Sequence, residues 1–80
     1  MQKQLDDIEK ALNKKIYNLF LDKFKNNKSE FARAANCSEG TIRRIFKNEQ
    51  SVTVNILFRI AFALDLTVSE LVEGLSITRE

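Results

Sequence analysis

Proline, histidine and tryptophan are absent from this chain of 80 residues, cysteine occurs once and glycine twice. Each absence removes something. Without histidine and with one thiol, no Cys/His zinc site can be assembled and no Ser/His or Cys/His nucleophile and base can be paired. A lone cysteine forms no internal disulfide, which suits a reducing cytoplasm. With no proline, and glycine only at positions 40 and 74, little interrupts helix anywhere along the chain. Long hydrophobic runs are missing too. The apolar stretches fall far short of the roughly 20 residues that a membrane span needs, and no charged-then-apolar leader opens the chain, so a cytoplasmic protein without membrane contact is expected. The Asp, Glu and Ser residues are scattered. They build neither a phosphate-cradling glycine loop nor a metal-ligand spacing, so no enzyme, cofactor or metal is expected.

What is present is a hydrophobic share of 44% and a charged share of 30%, the proportions of a globular domain with one modest core. The net charge of +2 hides a division along the chain. From Lys14 to Lys47 nine Lys/Arg face Asp22, Glu30 and Glu39, a balance of +6, and the remainder carries −4. A basic centre between acidic ends is the electrostatic footprint of a nucleic-acid reader.

Within that centre, residues 27–48, NKSEFARAANCSEGTIRRIFKN, read as two short helices joined by a tight turn. Asn27 can cap the first, and Glu30 stands three residues on, the spacing of a capping box. Phe31, Ala34 and Ala35 fall on one side, and Asn36 tolerates the left-handed backbone in which helices stop. Ser38 is a second cap. It opens a segment in which Ile42, Ile45 and Phe46 recur at the spacing of a buried helical face, while Glu39, Gly40, Arg43, Arg44 and Lys47 occupy the other face. A helix that is Ile/Ile/Phe inside and Arg/Arg/Lys outside can dock on a neighbour and still offer forked donors to a major groove.

Ala32, Asn36, Ile42 and Ile45 match the small residue, turn residue and branched apolar residues of the helix-turn-helix of the phage-repressor and Cro class, also called the XRE family, which the stretch resembles. The likeness continues through TVNILFRIAFALDLTVSELV to about Val72. It implies an all-α, compact five-helix, lambda-repressor-like DNA-binding domain with an extended first helix. By matching position it implies base reading by Glu39, Gly40, Arg43 and Arg44, with the recognition helix spanning 39–47. Phosphate contacts fall to Lys28, Thr41, Lys47, Asn48, Gln50 and Ser51, with Arg33 a lesser candidate. Where many members pair an Arg of the first helix with a Glu late in the recognition helix, this chain has Leu21 and Phe46, and the two apolar residues are expected to touch. Cys37 stands at the family's apolar turn position and is expected to pack rather than react.

In chain order, Leu5, Ile8, Leu12, Ile16, Leu19, Phe20 and Phe24 predict one amphipathic helix from about residue 2 to 24. Residues 1–13 are expected to form a helical extension of a DNA-binding domain at 14–74, with 75–80 as a tail. Thr53 caps a fourth helix through Leu64 whose inner stripe is expected to be Val54, Leu57, Ala61 and Leu64. Thr67 and Glu70 repeat the capping-box spacing before a short last helix that Gly74 stops.

These features lead to a homodimeric transcriptional regulator, most simply a repressor, on a palindromic double-stranded operator. One short helix reads too few base pairs, and a two-fold axis doubles the contacts across half-sites about 34 Å apart. The dimer interface is expected at Phe62, Leu71, Val72, Leu75 and Ile77. The alternatives are an antitoxin or restriction-modification controller, with a toxin or another protein as partner, and a protein-interaction module that keeps the fold without reading DNA.

Overall fold

The structure is a computed structural model and describes residues 7–75. Leu5, read as part of the first amphipathic helix, and Ile77, expected at the dimer interface, lie outside them. Five helices follow in order: α1 (Asp7–Phe24), α2 (Lys28–Ala34), α3 (Glu39–Phe46), α4 (Val54–Ala63) and α5 (Val68–Val72).

The helix starts are set by side-chain caps. Asn27, Ser38, Thr53 and Thr67 each accept the backbone N–H three residues on, from Glu30, Thr41, Ile56 and Glu70. Each cap satisfies one of the donors that the first helical turn leaves unpaired. At Thr67 the box is complete, because the Glu70 carboxylate accepts the Thr67 backbone N–H at 2.9 Å. The stops follow from the shortage of glycine. Asn36, Asn48 and Asp65 hold φ of 55°, 60° and 62°. After each of these, the next N–H closes back on a helical carbonyl: Cys37 on Ala32, Glu49 on Arg44, Leu66 on Ala61. These are Schellman closures with Asn or Asp where glycine is commonest.

The core joins all five helices. Ile16 and Phe20 of α1, Phe31 and Ala32 of α2, Ile42 and Ile45 of α3, Ile60, Ala61 and Ala63 of α4 and Leu71 of α5 are buried. At its centre the Phe20 ring lies 5.1 Å from Phe31 and 5.0 Å from Phe46 between centroids. Phe46 also meets Tyr17 edge-on at 4.9 Å. Leu21 and Phe46 are both half-buried against the same core. Phe24 stands 5.1 Å from Phe31 and packs beneath the α1–α2 link. In that link Lys25 and Asn26 both take positive φ. Lys15 secures α5 to α1 by donating from Nζ to the carbonyls of Glu70 at 3.1 Å and Glu73 at 2.9 Å, a cation placed on the carbonyls that a helix end leaves unpaired.

Three expectations need correction. The capping box read at Asn27 and Glu30 is half made, because the Asn27 backbone N–H donates to the Phe24 carbonyl at 2.9 Å instead of to the Glu30 side chain. Val54 is not on the inner stripe of α4: it is 72% exposed, and Ile60 takes the fully buried position instead. Helix α4 packs on α2 and α5, which turns the Ile60, Ala61, Ala63 and Leu64 side inward and leaves Val54, Phe58 and Phe62 in water. Leu71 cannot belong to a subunit interface, because it is fully buried in the chain's own core.

Candidate nucleic-acid interface

Helix α3 has two unlike sides. Ile42 and Ile45 are fully buried, and α3 is held by α1 and α2. Burying each of these side chains contributes on the order of 2 kcal/mol, so the helix is seated by its apolar side and its basic side is left to the solvent. Ala32, 3% exposed, lies in the core where α2 and α3 pack together. The small side chain permits their close approach, and a larger one would separate them.

On the outer side, Arg43 and Arg44 are exposed. Arg44 is held in a specific pose: its Nε donates to Gln50 Oε1 at 2.8 Å, and one Nη approaches Thr41 Oγ1 at 3.4 Å. Gly40 makes room for this, because a Cβ there would stand 3.3 Å from the other Nη. Four residues selected separately in the sequence, Gly40, Thr41, Arg44 and Gln50, thus meet in one cluster. Gln50, expected at phosphate, spends its carbonyl oxygen on the arginine. Thr41 is engaged by Ser38 at 2.9 Å as well.

Glu39 also meets protein groups. One carboxylate oxygen accepts from Ser29 Oγ at 2.9 Å and the other lies 3.5 Å from an Arg43 Nη. The pair is half in water and contributes little to stability, but it ties the first turn of α3 to the first turn of α2. Lys28, beside Ser29, is half-buried at the start of α2, while Lys47 and Asn48 are exposed at the end of α3 and Ser51 is half-buried in the following loop. Arg33 is exposed on α2.

Two residues that frame this surface were not selected from the sequence. Asn13, 3% exposed, donates from Nδ2 to Asn48 Oδ1 at 3.0 Å, and its own Oδ1 is buried without a partner. It therefore grips the left-handed stop of α3 from inside α1. The signal was a polar residue in register with Ile16 and Phe20 on the inner face. Ser29 had no such signal, since its partner is set by the α2–α3 packing. Arg59 of α4 anchors the turn between α2 and α3, donating to the Asn36 carbonyl at 3.1 Å and to the Asn55 side chain. Cys37 is half-buried beside it; burial pushes the thiol up from its ordinary value, against a smaller downward pull from Arg59. A thiol held protonated in this way is a packing group rather than a nucleophile.

Of the residues expected at a dimer interface, Phe62 is 80% exposed and Val72 and Leu75 are half-buried. No helix among the described residues is long and apolar enough to cross a membrane.

Among solved structures, the chain is similar in fold to the crystal structure of the clp gene regulator ClgR from C. glutamicum, with a TM-score of 0.73 at 19% identity. The match covers 94% of this chain and 100% of that one. No curated protein matches the sequence. The model of the Cro/C1-type helix-turn-helix DNA-binding domain matches residues 15–74. A small-residue contact between α2 and α3, a capped helix with an apolar inner side and arginines outside, and a family match over three quarters of the chain agree: this protein belongs to the Cro/C1-type helix-turn-helix DNA-binding family.

Proposed function

We propose that this domain binds double-stranded DNA in a sequence-specific way as a homodimeric transcriptional regulator, with α3 in the major groove, and represses by occupying a promoter. The carrying observation is the pose of Arg44. With Nε held by Gln50 and its path opened by Gly40, the guanidinium is presented as a fixed fork, which is the geometry that pairs with guanine O6 and N7. A donor fixed in advance loses less conformational freedom on binding, so the discrimination that such a pair provides, about 1 to 3 kcal/mol, is more fully realised. Arg43 is steered by Glu39 and is the second base-edge candidate. Gly40 lets the helix approach the bases, and Glu39, already engaged by Ser29 and Arg43, keeps further lone pairs with which to accept from cytosine N4. Lys28, Thr41, Lys47, Asn48, Gln50 and Ser51 line the flanks where phosphates pass, and the Gln50 amide nitrogen is the part of that side chain left to donate there.

The test is selection from random duplex DNA, with sequencing of the retained fraction for the native protein and for Arg44→Ala. A palindrome with half-sites one helical turn apart is expected, and Arg44→Ala relaxes one guanine position in each half. Retention without an enriched motif would reduce the function to backbone attraction and overturn the reading.

A further inference from the structure

Val54, Phe58 and Phe62 lie four residues apart along α4 and form one stripe, 72%, 60% and 80% exposed. Together they leave roughly 400 Å² of apolar surface in water, given the 150–250 Å² that one aromatic side chain can bury. Single exposed apolar residues are ordinary; a continuous ridge ending in a nearly bare phenyl ring is not. Beside the ridge runs a shallow cleft of about 350 Å³ lined by Ala34, Ala35, Asn36, Phe58, Arg59 and Phe62. Its floor is made of small side chains, and its volume exceeds that of a phenyl ring.

We infer that this ridge and cleft are the interface with a second copy of the chain, the Phe62 ring of each protomer seating in the cleft of the other. This rests on the homodimer proposed above and assigns its surface. Three observations favour a second copy over an unrelated partner. First, a knob and a hollow adjoin on one patch, and a two-fold axis requires that self-complementarity: what protomer one inserts, it must also receive. Second, the ridge supplies about half of the roughly 800 Å² per partner of a standard interface, the apolar core of such a patch, and Asn36, Asn55 and Arg59 border it as a polar rim. Third, the cleft is walled by a positioned cation. Arg59 lines it and is held by its bonds to the Asn36 carbonyl and to Asn55, and a guanidinium so placed attracts the face of an incoming ring. None of Arg43, Arg44 and Lys47 lines the ridge or the cleft, so pairing through α4 leaves the DNA-reading side uncovered.

Sedimentation of the full chain from about 1 to 100 µM tests this, with Phe62→Glu and Ala34→Glu on opposite sides of the contact. Both positions are exposed, so thermal unfolding of the variants stays native-like at concentrations where all are monomeric. The native chain is expected to dimerise, and each variant weakens the dimer by a factor of about 30 or more, as for a residue at the centre of an interface. In a Cys37→Ser background, mixing Phe62→Cys with Ala34→Cys is expected to give the mixed disulfide faster than either variant forms its own. A native monomer throughout the range, a dimer indifferent to both charges, or a mixed disulfide no faster than the self-paired ones overturns the inference. Its failure is separable from that of the DNA-binding reading. A chain that selects a palindrome but dimerises elsewhere removes only this surface, and one that dimerises here but retains no DNA removes only the other.

Discussion

Lys25 carries a backbone conformation that its side chain does nothing to favour. Its φ is 52°, and Asn26 follows at 68°, so two consecutive left-handed residues turn the chain from α1 into α2. For a residue with a Cβ and no local hydrogen bond to offer, that region costs on the order of 1 kcal/mol, whereas Asn and Asp reach it more easily. Lys25→Gly is therefore expected to stabilise the domain by a few tenths of a kcal/mol up to about 1 kcal/mol, net of the entropy that glycine adds to the unfolded chain. The melting temperature should rise by several degrees, on the scale of about 4–8 °C per kcal/mol for a domain of this size. Thermal unfolding followed by circular dichroism decides it, and a lowered midpoint would show that the lysine stem contributes more than its backbone costs. Two of the other stops were legible. Asn36 and Asn48 are residues that enter the left-handed region, standing where an apolar pattern ends. Lys25 was not, because nothing about a lysine announces positive φ; the turn imposes it once Phe24 is fixed on Phe31.

At the scale of elements, starts were more readable than faces. Asn27, Ser38, Thr53 and Thr67 each cap as their type and position foretold, since a cap is a local bond between neighbours in sequence. The faces of α4 were not readable, because that helix is apolar nearly all round and periodicity then has no polar side to point away from. Only the packing of α2 and α5 decides that Ile60 goes in and Val54 stays out. Asn13 belongs here as well, since its bond to Asn48 couples α1 to the end of α3 across 35 residues. Replacing it with Asp keeps the shape but removes the donor and places a carboxylate in a buried position facing the Asn48 oxygen. Near neutral pH, Asn13→Asp should cost several kcal/mol, an unpaired buried charge being among the costliest of changes. Asn13→Leu should cost less, because it deletes the unsatisfied oxygen together with the hydrogen bond. The gap between the two should close in acid, where the carboxyl is protonated in both folded and unfolded chains. Denaturant melts at neutral and acid pH measure this, and equal stability of the two variants at neutral pH would remove Asn13 from the role given it.

For the whole molecule, a net charge of only +2 is compatible with DNA binding because the basic residues are gathered in the middle of the chain. Each phosphate neutralised releases a counterion, so affinity should fall steeply with salt. Lys47, exposed at the end of α3, should act as one such contact. Lys47→Ala is expected to weaken binding to specific and unrelated duplexes alike and to lower the slope of log affinity against log salt by about 1. Arg44→Ala should act chiefly on specific sequences. Fluorescence anisotropy with labelled duplexes at several salt concentrations separates the two. A Lys47→Ala chain with an unchanged slope would move the phosphate contact elsewhere. The fold was legible at this scale through the resemblance of residues 27–48, and of the stretch on to about Val72, to a known family, and the basic helix through one apolar period and one cluster of charge. The paired use of Arg44 and Gln50 was not, since the loop after Asn48 brings them together only in three dimensions.

The edge-on contact of Tyr17 with Phe46 has an optical consequence. Tryptophan is absent and Tyr17 is the one tyrosine, so the near-ultraviolet emission of the whole chain comes essentially from a single ring on α1. That ring lies 4.9 Å from Phe46 in the last turn of α3. Any event that lifts α3 from α1 changes the surroundings of this one emitter, with no second signal to dilute it. The native, unlabelled protein thus carries its own gauge of whether α3 is seated.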